Sequence, residues 1–184
     1  MAKQFDRLTP EHQDFIAKQR VFFTASAAAN GPINLSPKGL GGFRILGPDR
    51  ACYLNLTGSG NETAAHALAD GRLTIMFCAF EGPPMILRLY GRAESHERGG
   101  AAYQALLQSQ YGGDEPPGAR QIIEMTVELV QTSCGFAVPL YDYKAERPSL
   151  VQWAANTGEE GLKKYRSEKN RVSRGGLPTG LPEG

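Results

Sequence analysis

This chain reverses direction too often, with too little between its apolar runs, to build a parallel sheet. "FRIL", "GPD" and "RACYLNL" (residues 43–56) read as strand, turn, strand, and "LTIMFCAF", "EGPP" and "MILRLYGRAES" (residues 73–95) repeat the pattern. Antiparallel neighbours need only a short turn, whereas parallel ones need a crossover of about a dozen residues or more. Six to seven strands joined mostly by turns, with two or three short helices, predict a mainly β (α+β) fold: an antiparallel sheet closed into a barrel.

The strands differ in what they predict. "VFFTASA" is β-rich in its first half, and "INLSPKG" alternates briefly before Pro37 and the cluster Gly39, Gly41, Gly42. "LTIMFCAF" is continuously apolar, which predicts a strand buried on both faces. In "MILRLYGRAES", Met85, Leu87 and Leu89 face one way and Arg88, Tyr90 and Arg92 the other, with a bend at Gly91. "IIEMTVELVQ" alternates most clearly, with Ile123, Met125, Val127 and Leu129 on one face, and "CGFAVP" extends it.

Helices are expected from Thr9, capped by its hydroxyl and by Pro10 at the first position, to about Gln19. Others are expected over residues 61–70, stopped by Gly71, and over "GAAYQALLQSQY" with Tyr103, Leu106 and Leu107 inward. After Pro148, "SLVQWAAN" and "EEGLKKYRSEKN" read as two short helices. The whole is one domain, residues 1–184, of which 148–184 form a helical and irregular C-terminal extension.

Composition excludes several classes. Lys and Arg number 20 against 19 Asp and Glu, so the formal charge of +1 gives no footing for a nucleic-acid partner. Apolar residues make up 41% of the chain, yet no run nears the roughly 20 needed to cross a bilayer. "MAKQFDRLTPEH" lacks the apolar core of a signal peptide, so a soluble cytoplasmic protein is expected. Cys52, Cys78 and Cys134 lie far apart in apolar stretches without CxxC, and read as small buried hydrophobes. His12, His66 and His96 are equally scattered, so no metal site is expected.

Chemistry concentrates in "LNLTGSGNETAAH" (residues 54–66). Ser59 followed by Glu62 has capping-box spacing, which would close a helix start without any ligand. The same geometry suits a phosphate: N–H groups near Gly60 and Asn61, with the hydroxyls of Thr57 and Ser59, can hold a dianion. No GxxxxGK[ST] is present, so the cation must come from elsewhere. Lys38 in "SPKG", beside Ser36 and Gly39, is the first candidate, and Arg44 and Arg88 are the next. No GxSxG elbow or acid/base pair stands out: Glu159 and Glu160 are adjacent and point apart, and His66 reads as a packing or surface residue.

Together, "SPKGL", "YLNLTGSGNETAAH", "MFCAFEGPP" and "RLYGRAE", across residues 15–140, resemble the pyridoxamine 5′-phosphate oxidase-like, FMN-binding split-barrel superfamily. The resemblance implies a six-stranded antiparallel split β-barrel with short flanking helices. It also implies a homodimer with FMN at the interface and an oxidoreductase acting on a small molecule. Lys38 matches the family's strand lysine and Gly58–Ser59 its Gly-Ser. Gly60 and Asn61 stand where the oxidase has two basic residues, and the oxidase's strand glutamine falls near Ile86. The implied cofactor site comprises Ser36, Lys38, Gly39, Thr57, Gly58, Ser59, Gly60, Asn61 and Arg88, with Trp153 covering the ring from the partner subunit. Related split barrels bind haem or a deazaflavin. A non-catalytic protein that stores or senses its cofactor, and a scaffold protein, are therefore the competing expectations.

Overall fold

A computed structural model describes residues 2–182. The described residues contain eight strands: β1 (Lys3–Phe5), β2 (Phe22–Ser26), β3 (Asn34–Lys38), β4 (Phe43–Gly47), β5 (Arg50–Leu56), β6 (Arg72–Cys78), β7 (Ile86–Glu97) and β8 (Ala119–Ser133). All pair antiparallel in one sheet of order β3-β2-β6-β7-β8-β5-β4, with β1 lying against the end of β8. β3 and β4 are consecutive in the chain but stand at opposite ends of this order. Only residues 39–42 join them, so the sheet must curl until its two edges face each other across a seam. The result is a split β-barrel, antiparallel as expected, with eight strands where the resemblance implied six.

Alternation places the core. Leu73, Ile75 and Phe77 of β6 and Leu87 and Leu89 of β7 are buried inside, with Ile123, Met125 and Val127 of β8. Phe22 packs its ring 5.3 Å from Phe43, 5.5 Å from Tyr53 and 5.8 Å from Phe77, filling the barrel beneath the seam. On the other face, Ile122 joins Cys52, Tyr103 and Leu107 in a second cluster under α3 (Ala101–Tyr111). β6 departs from its expected two-sided burial: Thr74 and Met76 are only half-buried, because the outer side of the sheet is covered incompletely there.

Gly91 marks the bend. Tyr90 pairs with Leu129 and Gly91 with Val127, so Glu128 is an extra residue on β8. Beyond this bulge the faces exchange: Val130 is buried and Leu129 is not, which corrects the expected placement of Leu129 beside Val127. A Cβ at Gly91 would lie 1.9 Å from the Thr126 carbonyl oxygen, so the two backbones touch there.

Three helices follow local signals. α1 (Pro10–Ala17) begins at Thr9, whose hydroxyl accepts from His12 N, while His12 Nδ1 accepts from Thr9 N at 3.1 Å. α2 (Glu62–Ala69) packs on β2, β6 and β7. α4 (Ser149–Lys169) is broken at Gly158, with φ +68°, into the two expected helices. "CGFAVP" leaves the sheet instead of extending it, since β8 stops at Ser133. Cys134 is consequently exposed, unlike the buried Cys52 and Cys78. No helix among the described residues is long and apolar enough to cross a membrane.

Candidate functional site

The seam of the barrel opens into a cavity of about 690 Å³, walled by β3, the 39–42 link, β5, residues 58–63 and Arg120. β3 is a free edge, and Pro37, which has no N–H to donate, is tolerated there. Its alternation turns Asn34, Ser36 and Lys38 inward and leaves Leu35 and Pro37 exposed. Asn34 Nδ2 donates to Thr63 Oγ1 at 3.3 Å, tying this edge to α2.

Lys38 reaches across the seam. Its ammonium donates to Asn55 Oδ1 at 3.1 Å and stands 5.9 Å from the centroid of the Tyr53 ring. Burial, and then the positive charge of Arg120, push its pKa down to about 8. Arg120, at the head of β8, is 2% exposed. Its guanidinium donates to Asn170 Oδ1 at 2.7 Å and to the Gly60 carbonyl at 3.1 Å, and Nε meets no acceptor. Burial, and then Arg166, push the Arg120 pKa down to about 10. Among the described residues, no carboxylate forms an ion pair with Lys38 or Arg120. Buried cations ordinarily have such a partner.

The glycine loop is oriented from behind. Thr57 is fully buried, donates through both N and Oγ1 to the Gly118 carbonyl at 2.7 and 2.9 Å, and accepts from Arg166 Nε at 2.9 Å. The Asn61 side chain is locked to Gln121 by two reciprocal amide bonds of 2.9 and 3.3 Å. The Gly58 carbonyl accepts from Asn170 Nδ2 at 3.0 Å, as the Gly60 carbonyl does from Arg120. The chain has no cis peptide among the described residues, and in a trans peptide C=O and N–H point opposite ways. The N–H groups of Ser59 and Asn61 are therefore turned away from Asn170 and Arg120. None of the described backbone bonds uses the N–H of Ser59, Gly60 or Asn61.

No capping box forms here. α2 starts at Glu62 with Asn61 as its N-cap, and no side chain caps it. The Glu62 carboxylate instead accepts from Arg174 N at 3.0 and 3.1 Å. The reciprocal box lies at Thr9 and His12, where a histidine replaces the usual Glu or Gln.

Of the residues singled out in the sequence, Ser36, Lys38, Gly39, Gly58, Ser59, Gly60 and Asn61 line the seam cavity together. Thr57 stands behind the loop. Arg88 lies on β7, its guanidinium 3.4 Å from Ser133 Oγ, outside this cavity. Trp153, also outside it, is about one-third exposed on α4 with its ring 5.2 Å from Tyr165. Arg44 stacks over Tyr111 at 4.7 Å and donates to the carbonyls of Gly41 and Gln110, pinning the link to α3. His66 is buried against Ser26 Oγ at 3.0 Å, which selects packing from the two roles, packing or surface, that its sequence position left open. Sequence reasoning missed Asn55, Thr63 and Arg120. The one local signal for Arg120 is a cation directly after "PPGA" at a strand start.

Known proteins share this barrel. The pyridoxamine 5′-phosphate oxidase family model matches residues 8–134. The pyridoxamine 5′-phosphate oxidase family protein ustO of Aspergillus flavus is 35% identical over 190 residues, spanning 95% of this chain and 76% of that protein. Among solved structures, HupZ from Group A Streptococcus has a TM-score of 0.53 at 24% identity, covering 66% of this chain and 91% of its own. A candidate pyridoxamine 5′-phosphate oxidase from Lactobacillus delbrueckii has a TM-score of 0.51 at 19% identity, covering 68% and 94%. The two structures show a shared fold. With the sequence match across the barrel and its seam, they lead to one conclusion: the chain belongs to the pyridoxamine 5′-phosphate oxidase family.

Proposed function

We propose that the chain is an FMN-binding flavoprotein acting as an oxidoreductase on a small molecule. One observation carries this reading: two cations, the half-buried Lys38 and the buried Arg120, adjoin a loop with undonated N–H groups, and among the described residues neither forms an ion pair with a carboxylate. A phosphate monoester, nearly dianionic at neutral pH because its second pKa is about 6, is complementary to that set. Glu62, the acid nearest the loop, is held by Arg174 N at the cavity wall.

FMN bound here would supply the redox chemistry. The chain's part is to hold the phosphate through Lys38 and the amides of Ser59 and Asn61, and to orient the ring along the seam. The open side of the cavity favours a homodimer. Ile33 and Leu35 are 74% and 67% exposed on or beside the free β3 edge, and Leu40 and Leu150 join them at the cavity wall. A second copy laid there would bury these residues and cover the ring, with Trp153 available as part of the cover.

Flavin is favoured over haem because, among the described residues, the cavity wall offers no His, Cys, Met or Tyr side chain as an axial ligand. A deazaflavin would use the same cradle and is told apart by its spectrum. The test is the absorption spectrum of freshly purified protein, followed by fluorescence titration with FMN and with riboflavin, which lacks the phosphate. FMN is expected to bind at least about tenfold tighter, the worth of a charge-assisted hydrogen bond. Equal affinities would remove the cradle. Binding without flavin reduction by NAD(P)H would mark a storage or sensing protein instead of an enzyme.

A further inference from the structure

The described residues after α4, 170–182, form no helix or strand, yet Asn170 and Thr179 are fully buried and Ser173 is nearly so. Buried polar side chains need partners, and these partners are specific. Thr179 Oγ1 donates to the Asn170 carbonyl at 2.6 Å, Thr179 N to the Arg171 carbonyl at 3.0 Å, and Ser173 N to the Leu177 carbonyl at 2.8 Å. The segment thus folds back on itself and fixes Asn170 in place. Asn170 then uses both ends of its amide: Nδ2 holds the Gly58 carbonyl, and Oδ1 holds the guanidinium that holds the Gly60 carbonyl. A third tie runs from Arg174 N to the Glu62 carboxylate.

We infer that Asn170 is a positioning residue for the anion site. It touches no ligand. It fixes the two peptides of the glycine loop so that the N–H groups of Ser59 and Asn61 face the phosphate before it arrives. The inference rests on the FMN reading above. It differs from a purely structural role in one respect: loss of Asn170 must weaken phosphate recognition selectively, because the ring contacts lie elsewhere along the seam.

The test compares FMN and riboflavin dissociation constants for the full chain and for Asn170→Ala and Asn170→Asp. Aspartate keeps an acceptor for Arg120 but loses the donor to Gly58. Both variants are expected to lower the FMN preference over riboflavin about tenfold, the scale of a lost charge-assisted hydrogen bond, with riboflavin affinity unchanged. Thr179→Val, which frees Asn170 without opening a large cavity, is expected to lower it about threefold, and it serves if the Asn170 variants fail to fold. Amide chemical shifts of the ligand-free protein supply a second readout. The N–H resonances of Ser59 and Asn61 should shift in the variants, because the carbonyls of their peptides lose the donors that hold them, while those within α2 do not. An unchanged preference in every folded variant, or equal weakening of both flavins, would overturn the inference. A wild-type protein indifferent to the phosphate would instead sink the FMN reading and the inference with it. Shifted resonances at residues 59 and 61 would then show a clasp serving the fold alone.

Discussion

Replacement of Lys38 by methionine is expected to weaken FMN binding about 10- to 100-fold and to leave riboflavin binding unchanged. Methionine keeps most of the apolar stem and removes only the charge and its donors. The ligand-free variant should be as stable as the wild type or more so, since a partly desolvated cation with no carboxylate partner costs free energy in the folded state. Loss of affinity without loss of stability separates a binding lysine from a structural one, and paired titration and thermal unfolding measure both.

The same residue fixes a pH dependence. The pKa of Lys38 is about 8 in the ligand-free fold against an ordinary 10.5. Between these values the unfolded chain keeps a proton that the folded chain has lost, so this group makes ligand-free stability rise with pH across that interval. Binding runs the other way. A phosphate raises the lysine pKa, so above pH 8 each binding event must take up a proton, and affinity should fall up to about tenfold per pH unit. Riboflavin should show no such slope. A flat FMN profile from about pH 7 to 9.5 would place the phosphate away from Lys38.

Gly91→Ala is the second large effect. Its Cβ would lie 1.9 Å from the Thr126 carbonyl oxygen, 3.0 Å from Thr126 C and 3.1 Å from Glu128 N. All three are backbone atoms of β8, so no side chain can swing aside. Either the β7–β8 ladder parts or the bulge is lost with its register. A cost of at least about 3 kcal/mol is expected, at the top of the range for overpacking. Gly47→Ala is the control. It too lies at a register shift, at the end of β4, but its nearest neighbour beyond the adjoining residues is Asp49 Oδ1 at 3.8 Å, and it should shift stability by no more than about 0.5 kcal/mol. Denaturant midpoints of the two variants decide the matter; equal midpoints would show that the backbones can separate at little cost.

How much of this was legible in the sequence follows from the range of each interaction. Strands β2 to β8 show themselves because alternation and turn residues are local signals. β1 does not, because three residues carry no period and it exists only as a partner for β8. The bend at Gly91 could be read, but the exchange of faces beyond it could not, since Glu128 becomes an extra residue only once β7 is in register. The same limit governs the site. Lys38 and the Gly58–Asn61 loop are visible as motifs. Arg120 has its role only because β8 pairs with β5 and sets it behind Gly60. The box spacing of Ser59 and Glu62 misleads for a related reason: the loop carbonyls are held by Asn170 and Arg120, and the Glu62 carboxylate accepts from Arg174 N instead of from the loop.

The bulge on β8 also reaches the cavity. β8 carries Arg120 and Gln121 at its head, packs both apolar clusters along its middle, and meets β1 at its end. A one-residue slip anywhere along it would exchange inward and outward side chains and withdraw the guanidinium from the glycine loop. Glu128, standing outside the pairing, sets the phase of this long strand, so the addressing of the anion cradle is written in part at the far side of the sheet.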